Sequence, residues 1–437
     1  MSLTEKIFNA GVVGAGGAGF PTHIKAKSKI EYVIVNGAEC EPLIHKDFVM
    51  MVNFPDEIVN GVNEMINSTQ AKKSFFGIKA KNSEAIFAIE KSIANSKIEL
   101  CQLGDFYPSG DEYELVYAAT KRLIPPHGLP LDVSCVVNNV ETFYNITQAI
   151  KNKPVTHKLV SVSGAVKKPS TFFVPIGTSF KELIEHCGGA SISDFGVFVS
   201  GILMGNLTFN LNEVVTKTTA GLIILPMEHY LVDRQKRPIK DMNRIGKSAC
   251  DQCSYCTEFC PRYLLGYDVQ PHKVMRSLGF TASGEAVWNK FADLCCSCGL
   301  CSLYACPEDL YPREACDQGK VYLKQKNEKY YQPKEVKVHP MKEGRRVPLK
   351  MLLKKLDLVR FDAHTPFNKK PVEPGVVKIF LKQHIGKSAT PIVSIGENVK
   401  EGQLIGDVSV NELGAKIHAS INGRITHVSD EFIRISK

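Results

Sequence analysis

Apolar and polar positions follow one another along this chain in several distinct patterns, each predicting a different element. "LTEKIFNA" near the start reads as a short amphipathic helix or coil. "YVIV", Tyr32 to Val35, is an unbroken run of the kind a strand buried on both faces requires, and it stops at Asn36-Gly37 to release an acidic loop with Glu39 and Glu41. In "FYPSGDEYELVYAATKRL" a Pro-Ser-Gly turn precedes a helical period that puts Leu115, Ala118, Ala119 and Leu123 on one face. Asp111 and Glu112 fall in its first turn, where the helix dipole favours negative charge. "LDVSCVVNNVETFYNITQAI" predicts a strand, a polar corner at Asn138-Asn139 and a second helix.

The pattern changes between about His157 and Pro226. "HKLVSVSGAV" and "TFFVPI" read as paired strands around Gly164, and "SFKELIEHCGG" as a helix with a capping box from Ser179 to Glu182 and a glycine stop at Gly188. "GLIILP" closes the unit, which has the outline of a small β-grasp module. After a polar stretch from about Gln332 to Pro374, short β-branched strands separated by glycine turns predict a compact all-β C-terminal unit. This last unit resembles the barrel-sandwich fold of lipoyl and biotinyl carriers. The turn that matches their modifiable lysine, Asn411 to Gly414, has none, which argues against swinging-arm chemistry.

Composition narrows the class. The 437 residues are 44% apolar and 23% charged, ordinary for a soluble multidomain protein. No run approaches the roughly 18 to 20 apolar residues of a membrane helix, and the N-terminus lacks a signal-peptide layout, so the expected location is cytoplasmic, without membrane insertion. The net charge is +9, with lysines crowded between about Val321 and Lys387. No zinc-finger, helix-turn-helix or RNP-like motif accompanies them, so a nucleic-acid partner is not expected.

Ten of the 14 cysteines lie between Cys250 and Cys316, a density that in a large cytosolic chain points to metal binding rather than disulfides. "CDQCSYCTEFCPR" is C-x2-C-x2-C-x3-C-P, and "CCSCGLCSLYACPED" has one more residue before its last cysteine. Such a run reaches three irons of a [4Fe-4S] cube, and in two-cluster ferredoxins the other run supplies the fourth ligand. Cys250, Cys253, Cys256 and Cys306 are therefore expected on one cluster, and Cys295, Cys298, Cys301 and Cys260 on the other. Zinc sites pair two short cysteine units over a spacer and would leave surplus ligands here. Cys296 and Cys316 are expected to be bystanders.

In "GVVGAGGAGFPTHIK", Gly14, Gly16 and Gly19 match G-x-G-x-x-G, but no strand precedes them as a dinucleotide fingerprint requires. The loop is one of four segments, with "NGAECEP", "YPSGDE" and "NNVET", whose order ahead of a β-grasp module and cysteine runs resembles the FMN- and NADH-binding subunit of respiratory complex I and the RnfC component of the Rnf complex. The resemblance is nearest to the cobalamin reductases of propanediol utilization, because the barrel-sandwich unit comes last.

It implies a multidomain α/β plus α+β chain in four parts. These are a complex I FMN-domain-like α/β domain (1–152), an SLBB-like β-grasp domain (153–228), a helical ferredoxin-like domain with two [4Fe-4S] clusters (240–330) and a barrel-sandwich domain (372–437). It implies that Gly14, Gly16, Gly17 and Lys25 contact FMN, Lys25 through the phosphate, and that Asn36, Glu39, Tyr107, Gly110, Asp111, Asn138, Asn139 and Thr142 complete the pocket. Phe20, Glu41 and Glu112 match positions that hold NADH. The complex I version has arginine and aspartate where this chain has Ala15 and Ala38. The implied activity passes electrons from NADH through FMN and both clusters to a corrinoid or a corrinoid-handling enzyme. The flavin carries the chemistry with no catalytic side chain, and the implied setting is a bacterial microcompartment with a shell protein as a further partner. An Rnf-like peripheral electron-transfer subunit and a non-catalytic iron-sulfur relay are the alternatives. The chain has no D-x-H-x-x-G cobalamin signature.

Overall fold

Val33, Ile34 and Val35 have no exposed surface, the condition of a central parallel strand covered on both faces. In the computed structural model, which describes residues 1–94, 96–279 and 288–437, they form β1 (Tyr32–Gly37). The strands that follow are β2 (Lys73–Lys79), β3 (Ile98–Leu103), the two-residue β4 (Phe106–Tyr107) and β5 (Cys135–Asn139). The first sheet has the order β3-β2-β1-β5, all parallel. The chain steps outward from β1 to β3 and then returns to the opposite side of β1. The carboxyl ends of β1 and β5 therefore flank the point of reversal, where open α/β sheets leave a crevice for a ligand.

The helix after the Pro-Ser-Gly turn spans Glu112–Thr120 and ends because Lys121 adopts φ of +61°. Leu123 accordingly lies beyond it rather than on its face, packed beside Cys260 and Tyr267. Asp111 is the N-cap, its carboxylate accepting from the Tyr113 and Glu114 amides at 3.1 and 3.2 Å. Helix Pro55–Thr69 crosses helix Val140–Ile150 so closely that a Cβ on Gly61 would collide with the Phe143 carbonyl. Gly61→Ala is expected to destabilise by about 1–3 kcal/mol, the range for overpacking, read as a lowered midpoint in chemical denaturation.

The β-grasp unit contains β6 (His157–Gly164), β7 (Ser170–Pro175), β8 (Phe195–Val199), β9 (Asn206–Thr208) and β10 (Gly221–Pro226). Their order is β7-β6-β10-β8-β9, with β6 and β10 parallel and the other pairs antiparallel. Its helix, Phe180–His186, carries the expected reciprocal cap between Ser179 and Glu182. The cysteine-rich part holds short helices, including Pro271–Ser277.

The polar stretch after it works as a strap. Its strand β11 (Val347–Pro348) pairs antiparallel with β4, setting Val347 opposite Tyr107, and the helix Leu349–Lys355 follows. The C-terminal unit is a four-stranded sheet facing a three-stranded one. One continuous apolar cluster joins Val33 and Val35 of the first domain to Val377, Ile405 and Ile435 of the last. Among the described residues, no helix is long and apolar enough to cross a membrane.

Candidate functional site

The glycine loop is a closed turn at the mouth of the crevice. Val13 and Pro21 bridge, and the Gly14 amide donates to the Phe20 carbonyl at 2.9 Å. Its back is packed: Gly19 has φ of +68°, a Cβ there would stand 2.8 Å from Thr218 Cγ2 and 3.3 Å from His384 Cα, and the Ile385 amide donates to the Ala18 carbonyl at 3.0 Å. Its front is open. Gly16 and Gly17 are exposed, and a Cβ on Gly16 would come no closer than 3.8 Å, to Asn139 Cβ, while one on Gly17 would meet nothing within 4 Å.

The expected pocket residues gather around that front. The Ala15 amide donates to Thr142 Oγ1 at 3.0 Å, and Asn36 Nδ2 to the Gly110 carbonyl at 2.8 Å. Lys25 Nζ reaches the Val137 carbonyl in the middle of β5 (2.6 Å) and lies 5.8 Å from the Phe20 ring centre. Burial lowers the Lys25 pKa, opposed by Glu112, and burial raises that of Glu112, opposed by Lys25. The Asn138 side-chain Nδ2 is buried with no hydrogen-bond partner, a donor left available inside the crevice.

Two of the expected residues turn elsewhere. The Glu41 carboxylate accepts from the amides of Ile202, Leu203 and Met204 at 3.0, 3.1 and 2.9 Å, in the loop after β8. Burial pushes its pKa up to about 7 against those donors. Tyr107 is 2% exposed, and its hydroxyl donates to the Cys298 carbonyl at 2.7 Å.

Beneath the loop, Glu39 and Asn139 join a buried set of charges whose other members, Lys46, Asp47, Glu141 and Lys158, the sequence did not single out. Lys46 pairs with Asp47 at 2.5 Å and Glu141 at 3.2 Å, and Lys158 of β6 pairs with Glu141. Asn139 Nδ2 donates to Asp47 at 2.7 Å, and the Asp47 amide donates to Glu39 at 3.2 Å. Burial and then Asp47 push the Glu39 pKa up to about 8. With Glu39 protonated, two lysines face two carboxylates and the set is neutral, as low-dielectric surroundings demand. The available signal was Lys158 itself, a lysine followed by an apolar and small-residue run from Leu159 to Gly164.

The thiols fall into two groups. Burial and then Cys250, Cys306 and Cys253 raise the Cys256 pKa to about 12. Cys260 is raised by burial and then by Cys295, and Cys301 by burial and then Cys295, Cys256 and Cys260. Cys306 thus has its nearest charged thiol neighbours in the first run and Cys260 in the second, and Cys301 beside Cys256 makes the groups neighbours. Among the described residues no three such side chains suit a single metal ion. Backbone shape supplies the test of fit for something larger. Gln252 and Ser254 have φ of +62° and +67°, and Ser297 and Gly299 have +57° and +79°. These are the same two offsets from Cys250 and from Cys295. Left-handed backbone is unfavourable for non-glycine residues, so its recurrence in register means that both runs are bent to wrap the same kind of object. The Leu310 and Ser297 amides donate to Cys306 and Cys295 Sγ, both at 3.3 Å, the kind of hydrogen bond that tunes cluster potential. Cys253 is exposed. Cys296 and Cys316, expected as bystanders, neighbour the Cys298 and Cys295 thiols respectively, and none of the four is in a disulfide.

Crevice and thiols share a wall. Besides the Tyr107–Cys298 bond, Arg262, two residues after Cys260, pairs with Asp111 at 3.0 Å and stacks on the Tyr113 ring at 3.6 Å.

Comparison with known proteins divides the chain the same way. Family models match the Nuo51 FMN-binding domain at residues 7–148, the SLBB domain at 159–194, the 4Fe-4S dicluster domain at 249–311 and the RnfC barrel sandwich hybrid domain at 362–436. Cobalamin reductase PduS of Salmonella typhimurium is 38% identical over 99% of this chain and 96% of its own length, and that of Citrobacter freundii 36% over the same shares. The chain belongs to the PduS cobalamin reductase family. One component of the proton-translocating ferredoxin:NAD(+) oxidoreductase complex of Clostridium ljungdahlii is 34% identical over 59% of this chain and 55% of its own. The PduS-type order, with the barrel-sandwich unit last, is the one expected, and so is the four-part fold. FMN and [4Fe-4S] clusters are the cofactors of this PduS-family chain.

Proposed function

We propose that this chain takes electrons from NADH and delivers them, through FMN and two [4Fe-4S] clusters, to a corrinoid, the class of acceptor named in its PduS relatives. The shared wall carries this reading: the Tyr107 hydroxyl, next to the crevice, donates to the Cys298 carbonyl, and Asp111 of the crevice accepts from Arg262, two residues past Cys260. Gly14, Gly16, Gly17, Lys25, Asn36, Gly110, Asp111, Asn138, Asn139 and Thr142 would hold FMN, with Glu39 beneath and Tyr107 at the wall. Phe20 and Glu112 are the residues left to meet NADH, since Glu41 is engaged by the loop at Ile202–Met204. Cys260, Cys295, Cys298 and Cys301 would hold the cluster beside the flavin. Cys250, Cys253, Cys256 and Cys306 would hold the outer one, which meets the surface at Cys253.

Bound flavin exchanges electrons in pairs with a nicotinamide and singly with a cluster. The chain contributes orientation. Gly16 and Gly17 keep the loop front free of side chains, Asn138 offers an unpaired donor, and the Tyr107 and Arg262 contacts hold crevice and thiol loop in fixed register. The same reading places the chain in a bacterial microcompartment beside a corrinoid-handling enzyme and a shell protein, checked by co-sedimentation with purified microcompartments.

The central test is anaerobic. The reconstituted chain is expected to show flavin and iron-sulfur absorbance, to bleach with NADH and to turn over NADH only when a corrinoid is supplied; colourless protein carrying zinc would sink the proposal. Cys253→Ala is expected to remove one cluster's absorbance and leave bound FMN unchanged, with iron analysis as the measure.

A further inference from the structure

Lys158 leaves the module it belongs to. It lies in β6, within a stretch buried without interruption from Lys158 to Ser163, and is itself 1% exposed. Its ammonium donates to the Ala15 carbonyl at 3.1 Å and pairs with the Glu141 carboxylate, both in the first domain. Glu141 also accepts from the Leu159 amide at 3.0 Å, so consecutive residues of β6 grip the same carboxylate.

Ala15 lies between Gly14 and Gly16, and both of its backbone polar groups are held, the N–H by Thr142 and the C=O by Lys158. Because a peptide unit is planar and trans, its carbonyl and the following N–H point in opposite directions. Fixing the Ala15 carbonyl inward on a buried ammonium therefore aims the Gly16 N–H outward, to the exposed front of the loop. Mere adhesion between modules would not call for a lysine. Well-packed apolar side chains commonly stabilise such a position as well as a buried ion pair or better. What the ion pair adds is direction.

We propose that Lys158 is a positioning residue of the flavin site, by which the β-grasp module sets the aim of the glycine-loop amides toward the anionic and polar edge of the bound flavin. This rests on the FMN reading above. The β-grasp module is then part of the flavin site rather than a spacer, and the flavin affinity of the first domain depends on it.

The test is FMN binding to the full-length flavin-free chain, followed by quenching of flavin fluorescence. Lys158→Met is expected to weaken binding about tenfold, as for a lost charge-assisted hydrogen bond, and to shift the visible spectrum of the bound flavin. Lys158→Arg, which keeps a buried cationic donor, is expected to restore most of the affinity. Because Lys158→Met leaves Glu141 with less compensation, Glu141→Gln/Lys158→Met is made beside it. This pair removes one charge of each sign and is expected to match the wild-type thermal midpoint and iron content while still binding FMN about tenfold more weakly. Wild-type affinity and spectrum in the double variant overturn the role of Lys158 alone. Absence of FMN binding in every chain, wild type included, overturns the flavin reading and this inference together.

Discussion

Cys260→Ala is expected to leave a protein that binds FMN and is bleached by NADH but no longer reduces a corrinoid. Cys260 sits at the end of the first cysteine run, yet its neighbours are Cys295 and Cys301 of the second, and Arg262 just beyond it pairs with Asp111 of the crevice. On the proposed ligand assignment, losing this thiolate removes one ligand of the cluster that would adjoin the flavin. The crevice keeps its own Tyr107 and Asp111. Iron should fall by roughly half, as for one cube of two, and corrinoid-dependent NADH oxidation by about 100-fold or more, equivalent to ~2.7 kcal/mol in the rate-limiting barrier. Cys296→Ala is the contrast: adjacent to Cys295 but outside both groups of four, it should keep full iron and most of the turnover. Full iron in Cys260→Ala would refute the crosswise grouping.

A second large effect is acid lability at the back of the glycine loop. His23, His384 and His418 are 0%, 7% and 7% exposed, and both ring nitrogens of His23 and His384 lack partners. Burial lowers the pKa of His23 to about 4, with Lys27 adding to it; of His384 to about 4, with Lys217, Lys382 and His23 adding; and of His418 to about 3, with Lys217 and Lys416 adding and the Asn9 backbone opposing. Lys217, whose amine donates to the Gly11 and Lys416 carbonyls at 2.7 and 2.8 Å, is lowered by burial to about 7.

Every one of these groups binds its proton more weakly folded than unfolded. Stability therefore falls as pH drops, with the histidine contribution intact above about 6.5 and lost progressively toward pH 4. Lys217 adds a separate loss between its ordinary 10.5 and about 7. The histidines together should remove on the order of several kcal/mol across the acid window. Because Gly19 packs on His384 and Thr218, bound FMN should be released in the same window. Denaturation midpoints and flavin release from pH 7.5 to 4 check this. A flat profile in wild type, or one unchanged in His384→Gln, would refute it.

These effects depend on contacts between modules, which a linear reading reaches only in part. Strand β1, the acidic helix start at Asp111 and Glu112, the cap at Ser179 and the two cysteine runs were legible because their causes are local: apolar run length, charge at a helix start, a side chain reaching a nearby amide, and ligand spacing along one loop. Leu123 was misplaced on the helix face because nothing in the periodicity marks Lys121 as left-handed. Resemblance brought Glu41 and Tyr107 into the site, but their hydrogen bonds go to Leu203 and its neighbours and to Cys298, residues more than a hundred positions away. The polar stretch before the barrel yields no predicted element because pairing of β11 with β4 leaves no periodic trace in two residues.

The chain's own order of residues determined the list of modules, the two cysteine runs and the glycine turn, since each depends on spacings of a few residues. Tertiary packing alone decided that Lys158 and His384 of other modules brace the glycine loop and that crevice and thiols share a wall. Those contacts are made by buried polar groups whose partners are set by how strands and loops from distant parts of the chain meet, and burial makes each partner choice energetically strict.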